Sequence, residues 1–231
     1  MGDFAGKTFL VVGASGVFGA LLVAALTRRG ASVYGTATTN ESAARIPATG
    51  NPNLLLNLEQ PQSIDSVASW LSQTIPHLDG LILASGRVGF GTSESITNAQ
   101  FEQLMRVNFL GQAALVNRLI PMLRGGVSLN GSAVVAAITG VVAEKSFPGM
   151  SAYSSSKSAM SSFLETIRTE LRRDKVQILE ARPGHTETGL ATRPLFGNAP
   201  AMPAGMQPEH VVEVILGGME NGETVIPSTA F

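Results

Sequence analysis

The 231-residue chain contains no cysteine, which excludes disulfides, thiolate catalysis and cysteine metal sites. Histidine is almost as scarce: His77, His185 and His210 lie too far apart in sequence to suggest a metal cluster, and no metal is expected. Charge is balanced at a formal −1, so the chain lacks the basic footprint of a nucleic-acid or anionic-membrane binder. One stretch, Phe9 to Thr27, has no charge at all and sits between Lys7 and Arg28-Arg29, like a membrane or signal segment. Its glycines argue otherwise. Phe9 to Val12 reads as a buried parallel strand, Gly13 to Gly19 as a tight turn, and Gly19 to Arg29 as a helix closed by Gly30. With 44% hydrophobic residues, the expectation is one soluble, cytoplasmic domain spanning 1–231.

Apolar runs alternate with amphipathic stretches along the whole chain. Strands are expected at Ser32–Thr36, Asn53–Leu56, Leu81–Ala84, Ala133–Ile138, Val176–Leu179 and Thr224–Ile226. Helices are expected at Ser63–Ile75, Ala99–Leu123, Ala152–Arg173 and Glu209–Glu220, the first burying Ile64, Val67, Ala68 and Leu71. Such alternation predicts an α/β fold: a Rossmann-type, doubly wound parallel sheet of six to seven strands covered on both faces. The segment 184–208, rich in Pro, Gly and Thr, is the long irregular stretch and reads as a substrate loop or lid.

Two motifs carry chemistry. In Gly13-Ala14-Ser15-Gly16-Val17-Phe18-Gly19, glycines permit a tight turn, close approach of a pyrophosphate and close helix packing, and the helix N-terminus offers free N–H groups. In Tyr153-Ser154-Ser155-Ser156-Lys157, the tyrosine and lysine stand one helical turn apart on one face. A neighbouring ammonium favours the phenolate, so a phenol of reference pKa ~10 is expected to move toward neutrality and to serve as acid and base. The end of the second strand, Gly35 to Asn40, has no acid to hold a ribose 2′-hydroxyl. Hydroxyls such as that of Thr38, with Asn40, suit a 2′-phosphate; this favours NADP(H) and leaves NAD(H) open.

On these residues the chain resembles the short-chain dehydrogenase/reductases over nearly its whole length. Met105-Arg-Val-Asn108 with Pro121-Met122 resembles the segment carrying the family's active-site asparagine, and Phe147-Pro-Gly149 the approach to the catalytic helix. Arg182-Pro-Gly-His-Thr-Glu-Thr188 resembles the stretch that contacts the nicotinamide end. The resemblance implies a carbonyl/alcohol oxidoreductase with Tyr153 as acid/base, Lys157 lowering its pKa and holding ribose hydroxyls, and Asn108 positioning a water. It also implies cofactor contacts from Ser15, Gly16, Val17, Phe18, Asn57, Leu58, Ser85, Gly86, Pro183, Gly184, Thr186 and Thr188, and pairing into homodimers or homotetramers. The apolar stripe Ala159, Met160, Phe163, Leu164 and Ile167 fits such pairing, or equally a core position.

The pattern breaks in three places. The commoner branch has glycine where this chain has Val17, and the Gly16 spacing resembles the extended and atypical branches, which include epimerases whose substrate domain this chain is too short to hold. Leu83-Ala-Ser-Gly86 replaces an Asn-Asn-Ala-Gly landmark. The family serine thirteen residues before the tyrosine is Gly140, and Thr139 is the sole hydroxyl between Ser132 and Ser146, so Thr139 is the expected substitute. If it fails, the alternative is a nucleotide-binding regulator that has lost turnover. Arg182 is expected to pair with Glu180 or Glu187.

Overall fold

The computed structural model describes residues 4–231. Seven parallel strands form its sheet: β1 (Thr8–Val12), β2 (Ser32–Ala37), β3 (Leu54–Leu55), β4 (Gly80–Leu83), β5 (Ala133–Ile138), β6 (Val176–Ala181) and β7 (Val225–Ile226). Their spatial order is β3-β2-β1-β4-β5-β6-β7, so the winding reverses between β1 and β4. Side chains alternate across each strand and divide the core. Phe9 and Val11 of β1 face helices α1 (Val17–Arg28) and α7 (Pro208–Glu220). Leu10 and Val12 face the opposite layer, made by α3 (Pro61–Thr74), α5 (Gly111–Asn130) and α6 (Ser151–Glu170). The doubly wound sheet is therefore as expected, with a short extra helix, α2 (Asn40–Ala43), capped by the Thr39 side chain.

The long helix expected from Ala99 has a different form. It begins as α4 (Asn98–Met105), passes through a π-helical turn at Arg106–Leu110, and continues as α5 to Asn130 despite Pro121. A π turn inserts one residue into the helical ladder, as occurs often at functional sites, and here it contains Asn108. In α6, Met160, Leu164 and Ile167 are buried in the core rather than left for a partner, while Phe163 is partly buried against Phe109.

Beyond β1, the turn and α1 are pressed together so tightly that a Cβ on Gly19 would lie 2.2 Å from the Gly13 carbonyl oxygen. Backbone cannot yield there as a flexible side chain would. Gly19→Ala is expected to cost about 1–3 kcal/mol by forcing α1 off the turn, read as a lower urea midpoint with an unchanged slope.

Candidate active site

All the expected cofactor contacts lie beyond the carboxyl ends of the strands, on the edge where open α/β sheets bind ligands. Gly13 and Ser85 meet at the switch point: a Cβ on Gly13 would touch the Ser85 Cα at 2.8 Å. Gly16 is the N-cap of α1, has no side-chain capping bond, and is followed by no acid in the first helical turn. Amides of that turn thus point outward without a competing side chain, which suits a phosphate. Ser15 and Phe18 are half-buried beside it and Val17 is exposed. A dinucleotide fits this cradle.

Thr38 and Asn40 are exposed at the end of β2, and the nearest acid, Glu41, lies on α2. At the end of β3, Asn57 folds back on its own chain: its Oδ1 accepts from Glu59 N at 3.0 Å, and its N–H donates to Ser63 Oγ at 2.9 Å. Leu58 is buried beneath it. Pro183 accepts from Val141 N, Thr186 Oγ1 donates to the Gly184 carbonyl at 3.1 Å, and Thr188 Oγ1 accepts from Leu190 N. These residues therefore shape a turn after β6 as well as facing the crevice edge.

Tyr153 and Lys157 are both buried on α6. Lys157 Nζ donates to the Ile138 carbonyl at 2.9 Å and lies 3.3 Å from where a Gly86 Cβ would be, so a side chain at 86 would block the ammonium. Burial lowers Lys157 to about 8, opposed by the charge of Glu180. Burial likewise raises Tyr153 to about 12. The expected drop of the phenol toward neutrality is not what the site produces, because the ammonium is turned to a backbone carbonyl and desolvation dominates.

Asn108 is fully buried in the π-helical turn. Its Oδ1 accepts from Arg87 N, and its Nδ2 donates both to the Arg87 carbonyl and to Ser156 Oγ, each at 2.9 Å. Ser156 Oγ passes the chain on to the Tyr153 carbonyl at 2.7 Å. Both amide donors are spent, so the side chain clamps the strand-end loop to α6. Gln112, on the same helical path, donates to the Ser85 and Val107 carbonyls. Neither Ser156 nor Gln112 was singled out by sequence reasoning. Their one signal was polarity on otherwise buried helix faces.

Thr139 is the clearest correction. Its Oγ1 donates to Glu180 Oε1 at 2.7 Å, deep under the sheet edge, so it is not a free donor for a substrate oxygen. Gly140 cannot substitute: its φ of 95° belongs to glycine, and it has no side chain. Arg182 pairs with Glu180, as one of the two expected alternatives, at 2.8 Å; Glu187 instead accepts from Gly205 N.

The 184–208 segment docks over the site. Phe90 N donates to the Phe196 carbonyl at 3.0 Å and Leu195 N to the Val88 carbonyl at 2.8 Å. The Phe196 ring covers Gly89, 2.4 Å from where its Cβ would be. Val88, Phe90, Leu104, Val142 and Tyr153 form one apolar cluster with Leu190, Leu195 and Phe196 packed on it. A cavity of about 470 Å³ lies within the loop, between His185, Glu187, Thr192, Asn198 and Met202, and Tyr153 is not on its wall. Phe196→Ala thins the apolar cluster in which Tyr153 is buried, and is expected to bring Tyr153 down from about 12 toward its ordinary value of 10. Absorbance titration at the phenolate band checks this, with Tyr34→Phe as background to isolate the second of the two tyrosines.

The family described as short chain dehydrogenase matches residues 7–194. The chain belongs to the short-chain dehydrogenase family. Membership places it among oxidoreductases that use NAD(P)(H). An uncharacterized oxidoreductase of Escherichia coli K12, YbbO, is 28% identical over 183 residues, 79% of this chain and 66% of that one. Another, YmfI of Bacillus subtilis, is 25% identical over 97% of this chain and 90% of its own length. Versicolorin reductase 1 of Dothistroma septosporum is 28% identical over 80% of this chain and 71% of its own. A solved short-chain dehydrogenase from Streptomyces avermitilis superposes with a TM-score of 0.82 at 24% identity, covering 97% and 89% of the two chains, which shows the shared fold. Among the described residues, no helix is long and apolar enough to cross a membrane, and no group of His, Asp and Glu could hold a metal ion.

Proposed function

We propose that the chain is an NADP(H)-preferring reductase of a small or medium carbonyl, with Tyr153 as the proton donor to the carbonyl oxygen. The observation that carries the reading is the pair of buried groups, Tyr153 and Lys157, on one face of α6 at the crevice edge. Bound along the Gly13–Gly19 cradle, the nicotinamide cofactor would supply the hydride. At neutral pH the phenol, raised to about 12, holds its proton, and the lysine at about 8 is largely cationic. A site loaded with protons favours donation to a carbonyl over abstraction from an alcohol. Lys157 would hold the ribose hydroxyls of the bound cofactor, and Asn108 and Ser156 hold the α6 backbone at Tyr153 in place. The docked 184–208 segment keeps water from the phenol and carries substrate selectivity. Thr38 and Asn40, with no acid among residues 35–40, support the preference for a 2′-phosphate.

A second reading has its own observation. With Thr139 bound to Glu180 and glycine at 140, no hydroxyl at this point of the chain is free to polarise a substrate carbonyl. A missing donor of this kind commonly costs a rate factor of ~100 or more, which supports a cofactor-binding regulator with little turnover. One experiment separates them. Fluorescence titration with NADPH and NADH, followed by NADPH oxidation across ketones and aldehydes, is expected to show tighter NADPH binding and Tyr153-dependent turnover. Binding without turnover on every carbonyl favours the regulator; no binding of either nucleotide rejects both readings.

A further inference from the structure

Glu180 is a carboxylate inside strand β6, with 1% of its surface exposed. Such a group is costly unless its hydrogen bonds are satisfied. Here Oε1 accepts from Thr139 Oγ1 at 2.7 Å, while Oε2 accepts from Arg182 Nη2 at 2.8 Å and Ser161 Oγ at 3.1 Å. Three elements therefore converge on one carboxylate: the end of β5, the end of β6 and the middle of α6. Thr139 adjoins Ile138, whose carbonyl takes the Lys157 ammonium at 2.9 Å.

We propose that Glu180 is a positioning residue for the reaction, anchoring the end of β5 that Lys157 grips and supplying the buried negative charge that keeps this lysine cationic. The proposal rests on the reading of Lys157 as part of the reductase site. Charges around the pair agree with it. Arg182 neutralises part of Glu180, but Arg182 also faces Glu144 at 3.8 Å on the turn after β5, so this cluster of two carboxylates and one guanidinium retains a net negative charge. Glu165 of α6 acts on Arg182 in the same sense, and Tyr153 is the titratable group beside Lys157 on its own helix. Burial pushes the Glu180 carboxyl up, yet the bonds from Arg182, Thr139 and Ser161 outweigh this and hold it below the ordinary range, so it stays ionised. Its charge raises Lys157 against the lowering effect of burial. A lysine sealed in apolar surroundings without that charge would lose its proton near neutrality.

The chain has four lysines, which makes a direct titration tractable. The Lys157 side-chain carbon signal is followed by NMR in 13C-lysine protein and assigned with Lys157→Met. In wild type the midpoint is expected near 8. In Glu180→Gln, Lys157 is expected to bind its proton roughly tenfold more weakly. Glu180→Asp, which keeps the charge one carbon further back, is expected between the two. The basic limb of the pH–rate profile should move to lower pH with the NMR midpoint. An unchanged Lys157 midpoint in either folded variant overturns the proposal, and Glu180→Asp decides it if Glu180→Gln does not fold. The NMR reading needs no turnover, so it fails separately from the reductase assignment, which Tyr153→Phe tests.

Discussion

Tyr153→Phe is expected to reduce carbonyl turnover by about 10²–10⁴-fold, the range contributed by a positioned general acid, while leaving cofactor affinity and thermal stability almost unchanged. In the proposed reaction the hydroxyl of Tyr153 donates the proton, whereas its ring packs in the cluster with Val88, Phe90 and Leu104. Phenylalanine keeps that packing and removes a polar group whose ionised form burial already disfavours. Steady-state NADPH oxidation, nucleotide titration and a melting curve on the same preparation separate the effects. Equal turnover in the variant would end the assignment of Tyr153. Loss of cofactor binding together with turnover would mean instead that the substitution disturbed the cradle.

Lys157→Met is expected to do two opposite things: abolish turnover and stabilise the fold. Folded Lys157 releases its proton near 8, against 10.5 for the unconstrained group. A lowered lysine contributes stability that is present above the unfolded value and lost as pH falls through the folded one. Below about pH 8, then, burying the cation costs roughly 3 kcal/mol, net of its bond to the Ile138 carbonyl. Methionine fills similar volume without the charge, so the variant is expected to gain about 1–3 kcal/mol at pH 7, read by urea unfolding. The gain should shrink between pH 8 and 10.5, where wild-type Lys157 becomes neutral. Tyr153 works in the other direction: its raised value makes stability fall between pH 10 and 12. A variant less stable than wild type at pH 7 would show that the ammonium is held more favourably than its burial implies.

Lys157 is surrounded by satisfied polar groups. Asn108 sits in a π-helical turn and clamps both backbone groups of Arg87, and Glu180 ties the ends of β5 and β6 to α6. The strain of a buried charge is balanced by satisfied polar bonds around it, as a functional site in a packed core requires.

The amino-acid sequence by itself determined the alternation of strands and helices, the single sheet, the glycine turn after β1 and the Tyr153–Lys157 pair. Those features depend on local periodicity, on glycine where a Cβ would collide, and on helical spacing, all of which act within a few residues. The family resemblance rested on the same short segments. Only the tertiary structure decided where side chains spend their hydrogen bonds. Thr139 stood in the right place along the chain to replace the family serine, yet its hydroxyl is taken by Glu180, a residue 41 positions away on the neighbouring strand. Glu180 could be read from sequence as a partner for Arg182, but its bond to Thr139 depends on the register of β5 against β6, with Ala137 opposite Glu180. The phenol's upward shift likewise depends on burial in a cluster with Val88, Phe90 and Leu104, residues distant from Tyr153 in the chain. Spacing along a helix tells which groups share a face; what those groups touch, and therefore their charge, is set by elements distant in the chain.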